Sequence, residues 1–113
     1  MDEQLALCRK YGVTLCPTLP DLKAGVAANV RDGVVPVNGL RLPPEAGTTG
    51  WFIWAGEEMS DAADFFLPLH IAHLPDWCPQ VVKFLGLPPG WKFLVAGDYE
   101  DVWEDPALLE RRR

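Results

Sequence analysis

Apolar positions along the chain fall in short runs, cut by glycine, proline and small polar residues. Over residues 2–11 the apolar Leu5, Leu7, Cys8 and Tyr11 are spaced as in a helix. Asp2 and Glu3 sit at its start, where the helix dipole favours acids, and Gly12 is a stop. Residues 16–20 form an extended connector. Residues 23–30 predict a strand weakened by alanines and Gly25, closed by the turn signal Arg31-Asp32-Gly33. Residues 34–42 are a second extended run, and Pro36 inside it predicts an edge strand. Residues 50–55, Gly-Trp-Phe-Ile-Trp-Ala, are aromatic and β-branched and give the clearest strand signal. Ser60 is placed to cap a short helix running to Phe66. Residues 73–85 predict another helix, starting near Pro75 or Cys78-Pro79, with Val81, Val82, Phe84 and Leu85 on its buried side. Residues 91–96 predict a strand, Gly97-Asp98 a turn and residues 99–103 a further short strand. Residues 106–113 predict a C-terminal helix, with proline in its first turn and arginines in its last.

The order of these elements predicts an α+β fold. A small, mostly antiparallel sheet packs with two to four short helices. Neither a repeat nor a linker interrupts the pattern, so residues 1–113 are expected to form one domain. Within it, residues 1–36 supply a helix and a weak strand. At 113 residues, with 49% apolar and 23% charged, the chain is able to bury a core of its own. No apolar run reaches the roughly 18 residues of a membrane span, and the start Met1-Asp2-Glu3 lacks the features of a signal peptide. Three cysteines, Cys8, Cys16 and Cys78, with no export signal point to free thiols in the cytoplasm.

The net charge of −6 is unevenly spread. Between Glu45 and Asp105 there are 11 acids and 2 bases, whereas residues 1–44 hold 4 acids and 5 bases. Two clusters carry the excess: Glu57, Glu58, Asp61 and Asp64, and then Asp98, Glu100, Asp101, Glu104 and Asp105. Both adjoin strand signals that contain tryptophan. Solvated loops at sheet ends are one reading. A docking face for a basic partner is another, because complementary charge raises association rate and specificity, and aromatic anchors inside a charged rim build tight interfaces. Trp54, Tyr99 and Trp103 are the candidate anchors. A divalent-cation site is a third reading, against which stands the absence of a calcium-loop pattern. The acidic balance excludes nucleic-acid binding by bulk charge.

Catalytic signals are sparse. His70 and His73 are three apart and Cys78 follows, but zinc needs four ligands, and neither C-x-x-C nor H-E-x-x-H is present. Cys78 before Pro79, near a helix start, is a candidate low-pKa thiol with one of the histidines as its base, although nothing marks an orienting third group. Ser60, the only serine, lies in no nucleophile elbow, and Gly47-Thr-Thr-Gly50 lacks the lysine and spacing of a phosphate loop. No constellation supports an enzyme, a metal or a cofactor.

Several segments together resemble a family. They are Val37-Asn-Gly-Leu-Arg-Leu-Pro-Pro-Glu45, Thr48-Thr-Gly-Trp-Phe-Ile-Trp-Ala-Gly-Glu57, Asp64-Phe-Phe-Leu-Pro-Leu-His70, Leu85-Gly-Leu-Pro-Pro-Gly-Trp-Lys-Phe-Leu94 and Tyr99-Glu-Asp-Val-Trp103. Over residues 37–109 the chain resembles the Imm33-like group of bacterial immunity proteins, encoded beside polymorphic toxins. The resemblance implies a non-enzymatic protein that binds and neutralises a toxin, and it carries over no catalytic residues. Charge adds the expectation of a basic target met by the nine acids and three aromatics named above. The rival expectation is a small-ligand or regulatory domain with an aromatic pocket lined by Trp51, Trp54 and Trp91.

Overall fold

The computed structural model describes residues 2–60, 62 and 64–110. Among them, six strands form one sheet: β1 (Lys23–Ala27), β2 (Val37–Arg41), β3 (Thr48–Ala55), β4 (Phe66–His70), β5 (Trp91–Ala96) and β6 (Tyr99–Glu104). Their spatial order is β4-β1-β3-β2-β5-β6. Neighbours are antiparallel except β1 and β3, which run parallel. Helix α1 (Glu3–Lys10) and the single turn α2 (Leu74–Trp77) join 3-10 segments at Ala28–Asp32, Ile71–His73, Pro79–Phe84 and Pro106–Glu110. The fold is the α+β class that the order of elements predicts. No helix among the described residues is long and apolar enough to cross a membrane.

Strand periodicity sorts the side chains onto two faces. The register pairs Val37 with Ala55, Gly39 with Ile53 and Arg41 with Trp51, then Val37 with Val95 and Gly39 with Phe93. These residues face the helical layer and form the main core with Cys8, Leu74, Cys78, Val81, Phe84 and Leu87. Phe84 stacks flat on Phe93, with centroids 4.5 Å apart and planes 8° from parallel. Gly39 is required beneath that ring, because a Cβ there would lie 2.1 Å from Phe93. Gly50 adopts φ +87°, and a Cβ on it would meet the Leu42 carbonyl oxygen at 2.0 Å.

Arg41 is the polar centre of this layer. Only 3% exposed, it has no carboxylate partner among the described residues. Its Nε donates to the Thr49 carbonyl at 2.8 Å. One terminal nitrogen donates to the carbonyls of Cys16 and Leu87, each at 2.8 Å, and of Leu85 at 3.3 Å. The guanidinium thus ties β2 and β3 to the N-terminal connector and to the segment entering β5. Burial depresses its pKa below the ordinary arginine value. Trp51 Nε1 donates to the same Leu85 carbonyl at 3.0 Å.

Five predicted elements differ from those observed. The C-terminal helix expected over residues 106–113 is a 3-10 segment at Pro106–Glu110, and the arginines of its last turn lie outside the described residues. The extended run at residues 34–42 is a strand only from Val37, after Pro36, and it lies inside the sheet between β3 and β5. The edge strand that does contain proline is β4, with Pro68 at its centre, where a missing N–H costs no ladder bond if it faces solvent. The helix expected from Ser60 to Phe66 does not form. Ser60 Oγ does accept from the Ala62 N–H at 3.0 Å, but Phe66 already belongs to β4. The helix at residues 73–85 is broken at Cys78, whose φ and ψ of −160° and 80° are extended, as the residue before a proline prefers. The strand at 23–30 ends at Ala27. Beyond it, the Asn29 side chain donates to the Ala55 carbonyl and accepts from its N–H, standing in for a strand neighbour.

Candidate functional site

Strand order decides which acids meet. Ala55 of β3 lies beside Val37, Val37 beside Val95, and Val95 beside Glu100 of β6. On the other side, Phe66 at the start of β4 lies beside Ala27 at the end of β1. One end of the sheet therefore gathers the exit of β3, the β5–β6 turn and the entry of β4. Glu57 and Glu58 follow β3, Asp98 sits in the turn, Glu100 is in β6, and Asp64 precedes β4. With strands about 4.8 Å apart, β3 and β6 stand roughly 15 Å from each other. Asp61 lies outside the described residues.

The remaining acids lie elsewhere. Asp101 is on the open face of β6, midway along the edge strand. Glu104 pairs in register with Trp91, at the far end of the sheet, and the Asp105 N–H donates to the Gly90 carbonyl at 2.7 Å. The eight acids among the described residues thus divide into a group of five at one end, an edge residue and a pair at the other end. Two have cationic partners. Glu100 forms an ion pair with Lys83, and Asp105 with Lys92 at 3.2 Å. Both pairs are partly solvated and contribute little. Among the described residues, Glu57, Glu58, Asp64, Asp98, Asp101 and Glu104 form no ion pair.

The three aromatic candidates also divide. Tyr99 and Trp103 alternate with Glu100 and Val102, so they share the open face with Asp101. Tyr99 is 60% exposed and Trp103 38%. The Lys92 ammonium lies 6.0 Å from the Trp103 ring centroid. Trp54 instead packs against a second, smaller core on the open face, made by Leu40, Leu42 and Leu108. Its Nε1 is shielded from solvent and has no acceptor among the described residues.

The pocket expected from Trp51, Trp54 and Trp91 is not formed. Trp51, 1% exposed, and Trp91, set edge-on to Tyr11 at 6.2 Å, both face the helical layer, whereas Trp54 lies on the opposite face. His70 and His73 are exposed, with ring centroids 6.2 Å apart. Cys78 is buried, and burial pushes its thiol up to about 11, against the lowered value that a helix start implies. Among the described residues no group of three or more His, Cys, Asp or Glu is placed to hold a metal ion.

One feature escaped the reading of the sequence. A cavity of about 640 Å3 opens on the uncovered face of the sheet, between Leu40, Leu42, Phe52, Phe66 and Met59. Phe52 and Phe66 meet edge to face in it at 5.1 Å. Its signal is present in β3, where Trp51 and Ile53 alternate with Phe52 and Trp54. A strand apolar on both faces needs cover on both.

No curated protein and no solved structure matches the chain significantly. The family model described as the Imm33-like domain matches residues 3–105, and so takes in α1 and β1, which precede the segments that carry the resemblance. The chain belongs to the Imm33-like family.

Proposed function

We propose that this protein is a non-enzymatic immunity protein of the cytoplasm, a single domain that binds and neutralises a basic toxin. Membership of the Imm33-like family supports a protein partner. The observation that carries the finer reading is the convergence of Glu57, Glu58, Asp64, Asp98 and Glu100, from two clusters about forty residues apart, at one end of the sheet. Carboxylates on separate strands and loops set up a shared negative field that raises the association rate of a basic target. Tyr99 and Trp103 lie on the adjoining strand with Asp101 between them, an aromatic and acidic strip suited to the rim of an interface. Three free cysteines, two of them buried, agree with a reducing compartment.

Co-expression tests the reading. Each gene flanking that of this protein is induced in a sensitive bacterium, with and without the protein. Growth restored against one toxic neighbour supports immunity; toxicity unrelieved in every case overturns it. Against a neutralised toxin, the quadruple variant Glu57→Gln, Glu58→Gln, Asp64→Asn, Asp98→Asn should slow association by roughly tenfold or more at low salt and flatten its salt dependence. An unchanged association rate would remove the acidic end from the mechanism and leave the immunity role standing.

A further inference from the structure

The geometry points to the cavity on the open face as a socket for one bulky apolar side chain of the partner, flanked in the partner's sequence by lysine or arginine. This inference rests on the reading of the protein as a partner-binding immunity protein, and names the anchor that the acidic end alone lacks. At about 640 Å3 the cavity has room for a bulky side chain together with part of the residues flanking it, and its floor is the sheet itself, so it is held open by strands rather than by a loop alone. The edge-to-face pair of Phe52 and Phe66 gives an aromatic wall, Leu40 and Leu42 an aliphatic one, and Met59, 43% exposed, a deformable rim. Hot spots of interfaces are bulky side chains seated in such desolvated pockets.

Charge selects the occupant. Glu57 and Glu58 immediately precede Met59 and Ser60, which line the cavity, and Glu45 lines its other side. Lys23 is the one cation in the lining and forms no ion pair among the described residues. The surroundings are therefore net negative. They attract a basic flank and disfavour a second copy of this chain, whose own charge is −6. Neutralising the acids acts on encounter, whereas filling the socket acts on dissociation, so the two parts of the interface separate kinetically.

A phage-displayed library of random dodecapeptides, selected on the purified full chain, tests the socket without knowledge of the toxin. The expected peptides carry Trp, Phe or Leu beside Lys or Arg. Pro68 lines the cavity from β4, and Pro68→Trp places an indole in it. This variant should weaken the best peptide by roughly tenfold or more in fluorescence anisotropy. Leu67→Trp, on the opposite face of the same strand, should stay within about twofold. Thermal melts establish that both variants fold. Recovery of no such consensus, or equal binding by Pro68→Trp and the native chain, overturns the socket. If Pro68→Trp also restores growth against a toxic neighbour as well as the native chain does, the socket falls and immunity stands. If peptides bind in the socket but no neighbour is neutralised, the reverse holds.

Discussion

Trp51 and Trp54 lie three residues apart on β3 and meet opposite surroundings. Trp51 is enclosed by the helical layer and its Nε1 donates to Leu85. Trp54 turns to the open face, where its Nε1 is shielded and has no acceptor among the described residues. The same contrast runs across the sheet. On the covered face, Arg41 satisfies four carbonyls and Thr49 Oγ1 both donates to the Lys23 carbonyl and accepts from the Trp51 N–H. The open face carries a small core, a cavity and exposed aromatics. One face is committed to stability, and the other keeps apolar surface uncovered, as the docking of a partner proposed above requires.

Breaking the covered face should have the largest effect. Arg41→Met keeps the stem but removes every donor. It strands the Thr49 and Leu87 carbonyls in a region closed to water and takes its donor from the part-buried Cys16 carbonyl. An unsatisfied buried polar group costs about 1–3 kcal/mol, so a loss of at least about 3 kcal/mol is expected in urea denaturation. A loss below about 1 kcal/mol would mean that these carbonyls find other donors. Trp51→Phe follows, at about 2–3 kcal/mol, from a small cavity and the lost bond to Leu85.

The covered face also contains a titratable group with a defined pH signature. The Cys78 thiol has an ordinary value of 9.0 and is pushed to about 11 by burial. Because the folded-state value is the higher one, this contribution to stability is complete below pH 9 and is lost as pH rises toward 11, where the unfolded chain ionises first. The loss is on the order of 2 kcal/mol. The urea midpoint should fall further between pH 8 and pH 10.5 in the native protein than in Cys78→Ala. Parallel shifts in the two proteins would place Cys78 in contact with water.

How much of this was legible in the sequence depended on whether the signal was local. The strands β3, β5 and β6 were readable because aromatic and β-branched runs fit a pleated surface wherever it lies. Helix α1 was readable from its acids and spacing. Residues 66–70 were not, since Pro68 argues against a strand until β4 is known to be at the edge. The expected helix at 60–66 had a true local cap in Ser60, but Phe66 gains more from Phe52 and Trp54, whose rings it meets edge to face at 5.1 and 6.3 Å. Tertiary contact overrode a local preference there. The acids were visible as two clusters, yet their division was not. Six residues of β6 span roughly 20 Å, enough to carry Glu104 and Asp105 to the far end of the sheet. Convergence of Glu57 with Asp98 needed β2 and β5 between them, a strand order that no local pattern encodes.

The comparison is sharpest at its smallest expected effect. Trp54→Phe deletes an N–H that is shielded and unpartnered, so the substitution relieves a desolvation penalty of about 1–3 kcal/mol while losing part of an indole's apolar contact with Leu40, Leu42 and Leu108. The two terms oppose each other, and the net change should be under about 1 kcal/mol. Trp51→Phe has no such compensation, because its N–H is bonded. Measured side by side in urea, the two substitutions should differ by about 2 kcal/mol although they delete the same atoms from the same strand. If Trp54→Phe proved as costly as Trp51→Phe, the indole would have an acceptor in solution, and the open face would be as closed as the covered one. If the difference holds, a partner that seats on the open face and offers Trp54 an acceptor gains a bond that the free protein lacks.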